Sequence, residues 1–307
     1  MKVFVTGATG FIGSAVVPVL LKAGHTVLGL SRSDTGADAL RAQGAEVHRG
    51  SLDDLESLKQ GALASDGVIH LAFGHDFSKF AELCAADRAA IQTMGDALAG
   101  TDKPLIVTSG TLMIASAEKA DEDTQPDFSH PMAAARGQSE TLTLELAKKG
   151  VRASVIRCSP TMHGDGDKGF IPMLIDIARE KGVSAYIGDG ANVWPACHVK
   201  DGATAYVLAV EKGKAGSMFH AVADEAVSTK DMAVVIGEKL GVPVKSLTME
   251  EAQAHFGFMS FPFSGNNPVS SAKTREQLGW KPVECSLLDD MKNGTYFDDG
   301  AKSKISR

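Results

Sequence analysis

The chain has 307 residues, 44% of them hydrophobic and 22% charged, with a formal net charge of −7 and no basic cluster. That length supports a large core in one big domain or two intimate ones. The mixed, acidic charge argues against nucleic acid or an anionic membrane as a partner. The four cysteines (Cys84, Cys158, Cys197 and Cys285) form no CxxC pair and no metal-ligand spacing. No metal is expected, and a reduced, cytoplasmic chain is the simplest reading. The opening MKVFVTG lacks the long apolar region of a signal peptide, and no apolar run reaches about 18 residues, so a soluble, intracellular protein is expected.

Strands are predicted at 2–6, 26–31, 45–48, 67–72, 104–108 and 152–158. Helical patterns lie between them near 11–23, 35–43, 52–62, 80–99 and 132–149, several closed by a glycine (Gly24, Gly44, Gly100, Gly150). Strands alternating with helices imply βαβ units, hence a doubly wound α/β fold with a parallel sheet covered on both faces. After Cys158 the rhythm breaks into Gly- and Asp-rich loops, with short strands at 184–187, 197–199 and 217–222. Helices open at Ser228 and at Thr248, the latter with a capping box to Glu251. A short helix at 272–278 ends at Gly279. Residues 1–158 are therefore read as one domain and 159–300 as a smaller C-terminal substrate lobe whose strands can join the main sheet. A tail, 301–307, follows.

VFVTGATGFIG sets Gly7, Gly10 and Gly13 directly after the first strand, at the opening of the first helix. Gly7 permits the tight turn, Gly10 lets backbone approach a pyrophosphate, and Gly13 lets helix and strand pack closely. Thr9, Phe11 and Ile12 share that turn and count as contacts of a bound dinucleotide. The second strand ends in LSRSD. Arg32, flanked by Ser31 and Ser33, suits a 2′-phosphate, so NADP is expected in preference to NAD. Asp34 complicates this choice, although it can instead cap the next helix.

With TGATGFIG (6–13), VIHLA (68–72), IVTSGT (106–111), IRCSPTMHG (156–164), HVKDGATAYVLAVE (198–211) and SSAKTREQLGWKP (270–282), the chain resembles the extended and atypical short-chain dehydrogenase/reductases of the NAD-dependent epimerase/dehydratase superfamily. The resemblance implies a Rossmann-like sheet. It places Leu71, Ala72 and Phe73 along the cofactor path, with Ser51 and Leu52 near the adenine. Pro160, Met162 and His163 would flank the nicotinamide, and Thr108, Ser109 and Arg136 would be further cofactor contacts. It also exposes a departure. Where such enzymes carry Tyr-x-x-x-Lys, this chain has Met132 and Arg136. The catalytic serine position falls on Ser109 or Thr111, with Gly110 in the literal slot, and the usual asparagine is Asp87.

Asp87 stands out on residue pattern alone: positions 80, 84, 87, 91, 94 and 98 form one helical stripe, and Asp87 is its single charge. Met132 cannot supply a proton and Arg136 does not readily release one. The replacement acids are His163, Tyr186 and Asp87. Phe73, His75 and Phe77, on the loop after the fourth strand, are expected to line a substrate pocket together with Met132, and the aromatic stretch 258–265 to close over an apolar substrate. The leading function is an NADP-dependent oxidoreductase acting on a small, partly apolar carbonyl, C=N or C=C compound. A non-catalytic NADPH sensor and a sugar-type epimerase or dehydratase are the alternatives. A homodimer pairing through the helices near 80–99 and 132–149 is a further expectation from the resemblance.

Overall fold

In the computed structural model, which describes residues 1–74, 76 and 79–298, a seven-stranded sheet forms the centre of the molecule. Its first six strands are β1 (Lys2–Thr6), β2 (Thr26–Ser31), β3 (Glu46–Arg49), β4 (Gly67–His70), β5 (Pro104–Gly110) and β6 (Arg152–Cys158). Between them run α1 (Phe11–Lys22), α2 (Asp34–Ala42), α3 (Leu55–Leu63), α4 (Phe80–Leu98) and α5 (Pro131–Ala147).

The later elements are β7 (Thr161–His163), α6 (Phe170–Lys181), β8 (Ser184–Ile187), β9 (Val193–His198), α7 (Val199–Lys212), β10 (Met218–Ala221) and β11 (Asp224–Ser228). After them come α8 (Thr229–Leu240), β12 (Val244–Leu247), α9 (Met249–Phe256), α10 (Ser260–Ser264), α11 (Ala272–Leu278) and α12 (Leu287–Asn293).

The sheet order is β3-β2-β1-β4-β5-β6-β10, and every pair is parallel. This is a Rossmann-like arrangement: the order reverses between β1 and β4, which opens a crevice at the strands' carboxyl ends. Alternation along β1 shows why both faces are covered. Val3 and Val5 pack with α1 and α7 in one apolar cluster, whereas Phe4 packs with α3 and α4 in another.

The predicted strands and helices of residues 1–158 are present, with ends shifted by up to three residues. The stretch 159–300 divides its elements. β10 leaves the lobe and pairs with β6, Met218 opposite Val155, while α7 covers the sheet beside α1. Helix α11 packs on β10 and α7, and most of the other elements build the lobe around a separate core that contains Trp194, Phe256, Phe263 and Leu287. Ser228 and Thr248 cap α8 and α9, and Thr248 forms the anticipated capping box with Glu251. Helix α6 escapes pattern reading because Ile171–Ile175 is apolar on every face and buried throughout. No helix among the described residues is long and apolar enough to cross a membrane.

Candidate active site

The glycine turn has the shape its sequence requires. Gly7 adopts φ +66°, and a Cβ there would lie 2.7 Å from the Ala72 amide nitrogen. A Cβ on Gly13 would lie 2.1 Å from the Gly7 carbonyl oxygen. Gly10 is the N-cap of α1, no side chain caps it, and the first turn carries no acid. Thr9 and Gly10 are exposed, and Phe11 and Ile12 half-buried. Uncapped amides at a positive helix end, under a cradle that tolerates no Cβ, fit a dinucleotide pyrophosphate.

At the end of β2, Ser33 rather than Asp34 caps the next helix: the Gly36 amide donates to Ser33 Oγ at 3.1 Å. Ser31 is buried and its hydroxyl donates to the Ser33 carbonyl. The Arg32 side chain is exposed and makes no ion pair or hydrogen bond among the described residues. Asp34 pairs with Arg49, a residue the sequence reading passed over. Ser51 and Leu52 are half-buried beyond β3, and Leu52 packs on the apolar cluster under the sheet.

Deeper in, Asp87 is 1% exposed and organises a polar network. Arg136 donates from Nη1 to Asp87 and from Nη2 to the Thr108 carbonyl. The Ser139 hydroxyl donates to Asp87 Oδ2 at 2.7 Å, and His70 Nε2 stands 3.3 Å from Oδ1. Thr6 Oγ1 accepts the Ala72 amide and shares a 2.7 Å hydrogen bond with His70 Nδ1. In the tautomer whose Nε2–H faces Asp87, Nδ1 accepts the Thr6 proton. Burial works against the Asp87 charge, but His70, the Arg136 guanidinium and Ser139 outweigh it and hold the carboxyl below the usual range. Asp87 is thus the counter-ion of Arg136, not a store for a proton. Phe73 lies flat under the guanidinium, 4.5 Å from ring centroid to Cζ. Ser139 was missed because it carries no motif, and His70, although inside the quoted VIHLA stretch, hides at the end of an apolar strand.

The other expected catalytic residues separate. Ser109 is buried, and its hydroxyl has no hydrogen-bond partner among the described residues. Thr111 Oγ1 accepts from Asn267 at 3.2 Å. Thr108 spends its hydroxyl on the His70 carbonyl and Tyr206, so its polar groups serve the core. Met132 is 42% exposed at the start of α5. Tyr186 sits in the lobe's two-stranded sheet, between the Gly190 turn and Lys230. Leu71, Ala72 and Pro160 are half-buried. Met162 is a core residue, its methyl set against Gly202 of α7. His75 and Phe77 lie outside the described residues. In the 258–265 stretch Met259 and Phe263 belong to the lobe core, whereas Phe258 and Phe261 are exposed, and His130 stacks on Phe261 at 5.5 Å.

His163 is fully buried and bonds through Nδ1 to Asp290 Oδ2 of α12 at 2.8 Å. One donor atom each from His163, His198 and Asp290 lies within 4.8 Å of the others, a composition suited to a metal ion. His198 Nδ1 accepts the Lys200 amide at 3.3 Å and His163 Nδ1 bonds to Asp290, while His163 Nε2 is buried with no hydrogen-bond partner among the described residues. Nearby, burial raises the Asp167 carboxyl to about 6 against the opposing hydrogen bonds from Gly169 and Tyr296. A raised folded value stabilises the fold at low pH, and that stabilisation is lost as pH rises from about 4 through 6. Thermal melts of Asp167→Asn at pH 5 and pH 8 are expected to differ less than those of the parent by about 1 kcal/mol.

Residues 3–222 match the profile of the NAD-dependent epimerase/dehydratase family. The chain belongs to that family. Members bind NAD(P) and include oxidoreductases, epimerases and dehydratases. The chain is 49% identical to an uncharacterized protein of Schizosaccharomyces pombe over 97% of its own length and 100% of the relative's. It is 26% identical to a 4-hydroxy-2-methyl-3-oxo-4-farnesyl-3,4-dihydroquinoline-1-oxide ketoreductase of Stigmatella aurantiaca, over 84% and 80% of the two chains. A dTDP-glucose 4,6-dehydratase of Streptomyces venezuelae, solved with NAD and TYD bound, superposes with a TM-score of 0.77 at 19% identity, over 97% and 96% of the chains. That likeness supports the fold.

Proposed function

We propose that the protein is an NADP-dependent reductase of a small, partly apolar compound bearing a C=O, C=N or C=C bond. The observation that carries the cofactor preference is the unpaired Arg32 at the end of β2, beside the uncapped glycine turn of α1. Bound there, the reduced dinucleotide supplies a hydride. Around the reacting centre the chain contributes the Ser109 hydroxyl, which no described residue engages and which is suited to charge that builds on a substrate oxygen or nitrogen. Arg136 is held in place by Asp87, with Phe73 against its guanidinium, and gives the site wall a fixed pair of N–H dipoles. With Met132 in the tyrosine's place, the proton comes from solvent or from the substrate itself, which suits imine and enone reduction. Exposed Phe128, Met132 and Phe261 support an apolar substrate, and the ketoreductase relative supports reduction.

NADPH oxidation followed at 340 nm against ketones, imines and enones tests this reading. Ser109→Ala is expected to lower kcat about a hundredfold while leaving NADPH affinity within about twofold. An unchanged kcat would remove Ser109 from the chemistry. A second reading, an NADPH-binding protein without turnover, draws support from Met132 and from the engagement of Arg136 by Asp87. Micromolar NADPH binding with no turnover across the panel would favour it.

A further inference from the structure

We propose that Arg49 is a positioning residue that sets the preference for a 2′-phosphorylated dinucleotide. It acts by fixing the turn that carries Arg32 and by cancelling the charge of Asp34. The inference rests on the NADP reading above.

Parallel pairing of β2 with β3 sets Arg49 opposite Ser31, one residue before Arg32. From there its guanidinium spans the whole turn. Nη1 donates to the Ser33 carbonyl at 2.6 Å, and Nη2 to the Arg32 carbonyl at 3.3 Å. Nη2 also pairs with Asp34 Oδ1 at 3.1 Å. Both terminal nitrogens thereby hold the turn in place, and through it Arg49 acts on Arg32.

The backbone of Arg49 is itself anchored. Its carbonyl accepts the Ser57 hydroxyl at 3.0 Å, and Gly50 follows where a Cβ would lie 2.0 Å from that oxygen. An edge-strand arginine normally extends into water. Here three contacts with one turn give a planar, forked donor the work it suits.

The consequence is electrostatic. An acid two residues after Arg32 would repel a phosphate dianion if left unpaired. Paired with Arg49, Asp34 contributes little net charge, and the free guanidinium of Arg32 dominates the turn. A selectivity signature confined to LSRSD therefore omits the residue that neutralises its own acid, nineteen positions from the start of that signature.

Dissociation constants of the full chain for NADPH, NADH and 2′,5′-ADP, measured by titration calorimetry, test the proposal. Arg49→Gln is expected to weaken NADPH and 2′,5′-ADP about tenfold and NADH less than about twofold. Arg49→Lys restores little, because one ammonium cannot reach two carbonyls and a carboxylate. Adding Asp34→Asn to Arg49→Gln is expected to recover about threefold in NADPH affinity, a rescue that a purely structural arginine would not show. A melting temperature near the parent's shows that each variant is folded. The proposal is overturned if Arg32→Gln abolishes the NADPH preference while Arg49→Gln leaves it intact, or if Asp34→Asn gives no rescue. If the parent protein binds NADPH and NADH equally, the NADP reading itself fails, which is a separate result.

Discussion

Gly13→Ala is expected to abolish dinucleotide binding. The added methyl group would stand 2.1 Å from the Gly7 carbonyl oxygen and 2.8 Å from the Ala8 Cα. All the nearest atoms are backbone, so no rotamer change relieves the clash. Helix α1 must move off β1 and the Gly7 turn must open, which separates the amides that a pyrophosphate needs. Overpacking of this kind costs about 1–3 kcal/mol or more, and the loss in NADPH affinity should exceed about a hundredfold. Gly10→Ala is a graded control, because its Cβ would meet only the Gly7 oxygen, at 3.1 Å. Calorimetric titration reads both. Parent-like affinity in Gly13→Ala would remove the glycine cradle from cofactor binding.

The second large effect is expected at Asp87. Asp87→Ala strands the Arg136 guanidinium in a site where its side chain is 9% exposed and removes the acceptor of Ser139. Breaking a buried pair from one side costs about 3–5 kcal/mol, equivalent to a fall of about 6–10 °C in Tm. Removing the charge as well, in Asp87→Ala/Arg136→Met, should regain much of that loss, because an empty pair costs less than half of one. Because the Asp87 carboxyl is held below its usual range, its contribution is present above about pH 4, the unfolded value. It disappears as pH falls through the lower folded value. The gap in Tm between parent and Asp87→Asn should therefore close on acidification. A gap that widened would contradict the assignment of Asp87 as a counter-ion.

Much of the nucleotide-binding half was legible because its signals are local. The glycine triplet, the two-faced strands and the caps of α8 and α9 are each set by a few neighbouring residues. Asp87 declared itself as one charge on an apolar stripe, and its partner is the Arg136 that had looked out of place on α5. What stayed hidden depends on distant pairings. Thr6 and His70 lie 64 residues apart and Asp87 and Ser139 52 apart, and only the β1–β4 pairing and the packing of α4 on α5 bring them together. His163 was read as a residue flanking the cofactor. Its bond to Asp290, 127 residues away, became visible only once α12 was placed. Helix α7 was quoted as a motif without being recognised as a helix, because its buried positions cover most of its circumference.

The return of β10 to the sheet limits how this chain can be re-engineered. The segment that carries the lobe leaves the layer after β6 and comes back to lie beside it. A graft that exchanged everything after Cys158 for the equivalent piece of another protein would also discard the neighbour of β6 and bare a row of amides and carbonyls. A recombinant swap of specificity must therefore splice at two seams, on either side of the α7–β10 stretch, and leave that stretch with its original host.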